Sequence, residues 1–319
     1  MTASQRRIGV VMDPIDSITP KKDSSLAMLL EAERRGAEIH YMLQGDLRLV
    51  AGEARARSKL LRVRDDPDDW FEIGTEQDIH LGDLDAILMR KDPPFDMEYV
   101  FTTYILGRAE EAGALIVNRP QALRDMNEKA YISWFPQCAP MTLITRSRAE
   151  MKAFLEAHGK IAVKPLEGMG GKSVFIVEKG DNNANVIFET LTDNDAQFAM
   201  AQVFIPEISE GDKRILLIDG EPIPYSLARI PPPDDNRGNL VMGAVGEGRE
   251  LSDHDRWICS QVGPVLREHG VIFCGIDVIG DYLTEINVTS PTGIREIDRA
   301  FDLNIAGTLF DAIEARLGD

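Results

Sequence analysis

Glu285 and Asn287 lie two apart in LTEINV, so a β-strand through this segment sets both on one face, each offering an oxygen. The neighbouring run GIDVIG supplies Asp277 across a Gly280-Asp281 turn. Where Asp277 points depends on that turn. A plain two-residue connection puts it on the face opposite Glu285, whereas a three-residue loop or a bulge brings the three donors together; the second arrangement is the one expected. Two carboxylates and an amide oxygen suit a hard divalent cation of the Mg²⁺ type, with phosphate oxygens and water completing an octahedron. A merely solvated face is the plainer alternative. Against it, carboxylates gathered on one strand pair repel unless a counter-charge sits among them.

Candidate counter-charges are spread along the chain. Lys164 ends the apolar run KIAVKP, just before the glycine turn LEGMGGKS. That turn ends like the phosphate loop G-x-x-x-x-G-K-[ST], but Leu166 stands where the first glycine is required, and the strand-like SVFIVE follows where a helix is needed. What remains is a hairpin-like loop, Gly168, Met169, Gly170 and Gly171, able to lay backbone N–H groups over an anion, or else an ordinary glycine hairpin. Lys129, in NEKAYISWF, falls between apolar residues on an expected helix, where a lone lysine commonly snorkels. Arg214 begins RILLIDG, Arg229 ends YSLARI and Arg295 follows SPTG. Singly each reads as a surface charge; with Lys129 and Lys164 they could neutralise a triphosphate and an acyl phosphate.

These residues need a scaffold, and 319 residues are enough for one large domain or two. A net charge of −18 disfavours nucleic acid and anionic membrane as partners and favours a small molecule. Cys138, Cys259 and Cys274 are widely spaced and odd in number, which suits packing in a reducing cytosol. No apolar run approaches the length of a membrane span or a signal peptide, so a cytoplasmic protein is expected. RIGVVM followed by the capped DSSLAMLLEAERRG predicts a β-α start, and DAILMR, the helix through TYILGRAEEAG, and ALIVNRP repeat it, as in a mostly parallel sheet covered by helices. Residues 40–80 are mixed and charged, without a repeat. A break is expected near Pro120–Leu123, followed by a helix through LRDMNEKAYISWF, strands flanking the glycine turn, and a long Pro/Gly/Asn loop from Ile230 to Arg249 of functional or mobile type.

In order along the chain, MDPIDSITPKKDSS, LMRKDPPFD, NRPQALRDMNEK, KPLEGMGGKS, AQVFIPE, GDKRILLIDGEPIPYSLARIP, RGNL and DVIGDYLTEINVTSPTGIREI resemble the bacterial glutathione synthetases of the ATP-grasp superfamily. The resemblance runs through essentially the whole chain, and MDP and RKDPPFD are not general ATP-grasp features. It implies an α/β ATP-grasp fold: an N-terminal pre-ATP-grasp substrate domain (1–122), a small lid lobe (123–200) and a larger metal-binding lobe (201–319). It implies an ATP-dependent ligase that joins γ-L-glutamyl-L-cysteine to glycine through an acyl phosphate, with Mg²⁺ or Mn²⁺, in a homo-oligomer of four chains.

Carried over by residue, Lys129, Lys164 and Gly168–Gly171 contact nucleotide phosphates. Gln202, Val203, Phe204 and Ile205 form the adenine hinge, largely through backbone groups, with Asp212 at the ribose. Asp277, Glu285 and Asn287 ligate the metal, and Arg214 and Arg229 stabilise the transition state. Arg237 and Asn239 lie in a cover over the site. Asp13, Lys22, Ser24 and Arg90 recognise the dipeptide, and Ser290, Thr292 and Arg295 lie near the incoming peptide or glycine. The cover loop is less glycine-rich than the family pattern, and Lys172 stands where a small residue is expected. Two alternatives were weighed: another ATP-grasp carboxylate–amine ligase, and a nucleotide-binding module without catalysis.

Overall fold

The structure, a computed structural model, describes residues 5–168, 173–232 and 244–318. Its first strand, β1 (Arg7–Val11), is buried along RIGVV. α1 (Ser24–Arg34) starts where the Asp23 carboxylate accepts the Leu26 amide, and Gly36 (φ +73°) follows its end. β2 (Glu38–Met42) then lies parallel to β1. The charged segment that showed no clear pattern folds into β3 (Leu47–Val50), β4 (Glu53–Val63) and β5 (Phe71–His80), all antiparallel. β5 is exposed over most of its length, so polar residues occupy both its faces and erase the alternation that would have announced it. β6 (Ala86–Met89), α2 (Met97–Glu111), β7 (Leu115–Val117) and α3 (Pro120–Asp125) complete this unit. Its sheet has the order β3-β4-β2-β1-β6-β7, with β5 on β4; the four neighbouring strands β2, β1, β6 and β7 are parallel, as expected.

The helix expected through LRDMNEKAYISWF is a correction: α3 stops at Asp125, and only a short 3-10 turn, Ala130–Trp134, follows. Asn127 causes the break. Its Oδ1 accepts the amides of Lys129 (3.1 Å) and Ala130 (2.9 Å), and its Nδ2 donates to the Leu166 carbonyl (3.2 Å). A local side-chain acceptor thus competes with helix bonding.

A second sheet follows, built from β8 (Thr142–Thr145), β9 (Lys160–Pro165), β10 (Phe175–Glu178) and β11 (Ala199–Val203), with α4 (Arg148–His158) and α5 (Ala184–Leu191) between them. Its order is β10-β9-β11-β8, antiparallel throughout. Met151, Leu155, Phe188 and Leu191 of the helices pack on Ile161, Val163, Val177 and Ala201, a core separate from the others. β11 runs across residue 200.

The third sheet has the order β14-β13-β12-β15-β16, from β12 (Asp212–Ile218), β13 (Glu221–Ile230), β14 (Val245–Glu250), β15 (Phe273–Ile279) and β16 (Tyr282–Asn287). α6 (Asp253–Glu268) covers one face, with Ile258, Cys259, Val262 and Leu266 against Ile215, Leu217, Cys274 and Ile276. α7 (Ile294–Phe301) and α8 (Ile305–Leu317) cover the other, with Ile297, Leu309 and Phe310 against Leu216 and Phe273. Both cores continue into the first sheet. Asn118 joins the two units in the interior: its Nδ2 donates to the carbonyls of Phe273 and Val288, both at 2.6 Å, and its Oδ1 accepts the amides of Ile272 (2.8 Å) and Phe273 (2.9 Å). All three cysteines are buried and free, as packing residues should be.

Candidate active site

β15 and β16 turn through two residues, with Ile279 opposite Tyr282 and Val278 opposite Leu283. Continued evenly, that register would pair Asp277 with Thr284. Instead a bulge intervenes at Thr284, whose hydroxyl donates to the Asp277 carbonyl at 3.1 Å, and Asp277 faces Glu285 while Gly275 faces Asn287. The bulge thereby gathers Asp277, Glu285 and Asn287 on one face. Asn287 Nδ2 lies 3.4 Å from Asp277 Oδ2.

The neighbouring strands extend this row. Arg214 on β12 sits opposite Asp277 and grips it with two bonds, Nε to Oδ1 (2.5 Å) and Nη2 to Oδ2 (3.0 Å). Arg229 on β13 reaches the same Oδ2 (2.9 Å) and the carboxylate of Asp212 (2.5 Å). Burial alone would raise the Asp277 pKa, but the guanidiniums of Arg214 and Arg229 outweigh it and hold the carboxyl well below its ordinary range. Asp212 has less compensation, and burial pushes it up to about 6. Its other oxygen, Oδ1, is buried without a hydrogen-bond partner among the described residues. Asp212, expected at a ribose, pairs with Arg229. Gly275 makes room for this row: a β-carbon there would stand 2.9 Å from both Arg214 Cδ and Pro291 Cβ.

Two lysines complete the cluster. Lys129 pairs with the Glu128 carboxylate and donates to the Gly168 carbonyl (2.8 Å), at the head of the glycine loop. Glu285 Oε1 is 4.0 Å from Lys129 Nζ and 3.9 Å from Lys164 Nζ. Burial depresses the Lys164 pKa; at Lys129 it is outweighed by Glu285 and Glu128, and the pKa is raised. Glu128, on which burial and Glu285 act in the same direction to raise the pKa, was not singled out in the sequence, although it stands beside Lys129 in NEK. Among the described residues, four cations and four carboxylates therefore meet over one face of the third sheet.

At the hinge, Gln202 is buried and donates to Thr142 Oγ1 (3.1 Å). The Val203 and Phe204 amides serve the carbonyls of Met141 (3.0 Å) and Lys160 (3.1 Å), and Ile205 is buried. Both amides are thus taken up by backbone bonds to neighbouring segments.

Arg90 is buried where the first and third sheets meet, donating to Ser25 Oγ and to the Pro291 carbonyl, each at 3.0 Å, while its Nη1 has no partner among the described residues. Ser290 Oγ donates to Asp92 (2.6 Å), the Asp92 amide to Asp13 (3.0 Å), and Ser24 accepts the Ile294 amide (3.3 Å). The Thr292 carbonyl accepts Arg214 Nη1 (3.3 Å). Glu296 has a buried Oε2 with no partner among the described residues and a pKa raised by burial against the pull of Arg299, Lys22 and Arg295. Ser25, Asp92 and Glu296 were missed by sequence reasoning; Glu296 lies one residue beyond the last candidate. Arg295 itself is not drawn into the cluster but pairs with Asp65 (2.5 Å) in the β4–β5 connection. Met169, Gly170, Gly171, Arg237 and Asn239 lie outside the described residues.

The donor set tests the cation reading. Among the described residues no three His, Cys, Asp or Glu side chains are grouped to hold a metal by themselves. Asp277, Glu285 and Asn287 together form an all-oxygen set on one face, short of six ligands, which fits a hard cation that shares its shell with phosphate oxygens and water.

Comparison with known proteins places this arrangement. The model for the N-terminal domain of prokaryotic glutathione synthetase matches residues 7–124, and that for its ATP-grasp domain matches residues 128–302. The chain belongs to the prokaryotic glutathione synthetase family. It is 59% identical over 311 residues to glutathione synthetase of Vibrio parahaemolyticus and 58% to that of Escherichia coli, covering 98% of this chain and 98% of each relative. The fold is also that of D-cycloserine synthetase DcsG (TM-score 0.68, 14% identity, 98% of this chain and 100% of that one). The ATP-grasp ligase PsnB gives a TM-score of 0.61 at 17% identity, covering 97% and 98%. The chain is thus an ATP-grasp ligase, and neither alternative weighed from the sequence is favoured.

Proposed function

We propose that the chain makes glutathione by phosphorylating the cysteinyl carboxylate of γ-L-glutamyl-L-cysteine with ATP and letting glycine displace the phosphate, with release of ADP. A carboxylate is a poor electrophile until it is phosphorylated, and phosphoryl transfer needs positioning and charge neutralisation more than a covalent nucleophile. Lys129 and Lys164 bind nucleotide phosphates, and the 202–205 hinge holds the base. Arg214 and Arg229 face the transferring phosphoryl group and the acyl phosphate. Asp277, Glu285 and Asn287 would hold Mg²⁺ or Mn²⁺, which neutralises phosphate charge when bound. Arg90 and Glu296, each with a buried unpaired polar atom, orient the dipeptide's charged ends, joined by Asp13, Ser24, Ser290 and Thr292.

The observation that carries this reading is the convergence of Arg214, Arg229, Lys129 and Lys164 on the Asp277–Glu285 face within a chain of net charge −18. The three sheets support the three-lobe division, with the second boundary moved past Val203 because β11 belongs to the second sheet. Among the described residues no helix is long and apolar enough to cross a membrane, and the proposed setting is cytoplasmic, as a homo-oligomer. The test is phosphate release by the purified protein with ATP and Mg²⁺. Release that requires γ-glutamylcysteine and glycine together is expected; dependence on a different acid or amine overturns the substrate assignment.

A further inference from the structure

Glu285 has two cations beside it and makes hydrogen-bond contact with neither: Lys129 Nζ stands 4.0 Å away and Lys164 Nζ 3.9 Å. Lys129 is held elsewhere, by the Glu128 carboxylate and the Gly168 carbonyl. Glu128 is itself fixed to the strand that carries the cation donors, because its carbonyl accepts the amide of Ile286, between Glu285 and Asn287, at 2.8 Å. The Asn127 turn fixes the other side of the same peptide. The side chain is four-fifths buried, so its charge acts in a poorly screened setting.

We propose that Glu128 is a positioning residue that keeps the Glu285 carboxylate available to the divalent cation by holding Lys129 away from it. The proposal rests on the reading of the site given above and extends it. Without the Glu128 charge, Glu285 becomes the nearest anion to the Lys129 ammonium, and closing their gap draws Glu285 into an ion pair that competes with the metal. Simple charge counting also predicts weaker cation binding, since an anion near the site is lost, but it predicts the same loss whether or not Lys129 is present. The two accounts therefore part in the Lys129→Met background.

The experiment compares wild-type protein with Glu128→Gln. Binding of Mn²⁺ in the presence of a non-hydrolysable ATP analogue is followed by the electron paramagnetic resonance of free Mn²⁺. Binding of the analogue alone, in chelator, is followed by calorimetry. Glu128→Gln should weaken Mn²⁺ binding about 10- to 100-fold, the range for groups that orient metal ligands, and leave metal-free analogue binding unchanged or tighter. Unchanged or tighter Mn²⁺ binding overturns the proposal. A second arm uses Lys129→Met, which removes the competing cation: adding Glu128→Gln to it should alter Mn²⁺ affinity little, and an equal loss in both backgrounds shows mere loss of charge or structural damage and overturns the proposal too. Should wild-type protein bind no Mn²⁺ with the analogue, it is the reading of the site that fails.

Discussion

Asp277 is the residue on which the site turns, and its surroundings say why it carries so many partners. Two guanidiniums on one buried carboxylate are a poor way to gain stability, because desolvation offsets most of the attraction. Their value lies in aiming fixed positive charge at a place where negative charge develops. Arg229→Ala should therefore lower kcat by about 100- to 1,000-fold, the typical loss for one such donor, while the affinity for ATP measured by calorimetry changes much less. Equal losses in both contradict its assignment to the reacting phosphoryl group. The two-residue strand period sufficed to set Glu285 and Asn287 on one face, whereas Arg214 and Arg229 read singly as surface charges and took their roles from the family resemblance. Glu128 and Glu296 were hidden because their importance is burial beside charges supplied by distant segments, which spacing does not encode.

At the level of elements, the β15–β16 hairpin shows how one bulge decides chemistry: without the extra residue at Thr284, Asp277 would face the wrong side of the sheet. The expectation of a bulge followed from asking which register could gather the donors. β1, α1, β6, α2 and β7 were legible from apolar runs and caps, whereas β3 to β5 were not: β5 is exposed over most of its length, and the alternating burial of β4 falls partly on Ala54, Ala56 and Ser58, small residues that give little apolar signal. The break before Lys129 was likewise concealed, since two hydrogen bonds to one asparagine side chain overrode helical spacing. Packing between elements makes two predictions. α6 crosses the β12–β13 turn at Gly263, where an added β-carbon would stand 2.0 Å from the Gly220 carbonyl oxygen. Gly263→Ala should cost about 1–3 kcal/mol in urea unfolding, the usual range for overpacking, and a neutral result means that the crossing is looser than described. At the α7–α8 corner, burial raises Asp298 from 3.8 to about 6 while its carboxylate accepts the Ile305 amide. A carboxyl raised on folding favours the native state most below its unfolded pKa, and that contribution is lost as pH rises through 6. Asp298→Asn keeps an acceptor without the charge, so its melting temperature relative to wild type should climb between pH 4 and pH 7. A difference that does not vary with pH contradicts the burial assigned to this carboxyl.

Across the whole molecule, the first and third sheets share two cores and are tied by Asn118, while the second sheet packs its helices on a core of its own and turns Met200 into one of the shared cores. The lysines come from both bodies: Lys164 from the second sheet, and Lys129 from the link after α3. The carboxylates and arginines come from the third sheet, and Arg90 from the end of β6 in the first. Phosphates held between the second and third sheets would meet a dipeptide held between the first and third, which is the placement that direct phosphorylation of a carboxylate requires. The strong overall negative charge says nothing about this local convergence of cations; only the fold reveals it. The most direct measurement follows one oxygen atom. γ-Glutamylcysteine labelled with oxygen-18 in its cysteinyl carboxylate is turned over with ATP and glycine, and the released phosphate is analysed by mass spectrometry. Passage through an acyl phosphate predicts one labelled oxygen in each phosphate formed; phosphate free of the label, with glutathione produced, contradicts the account.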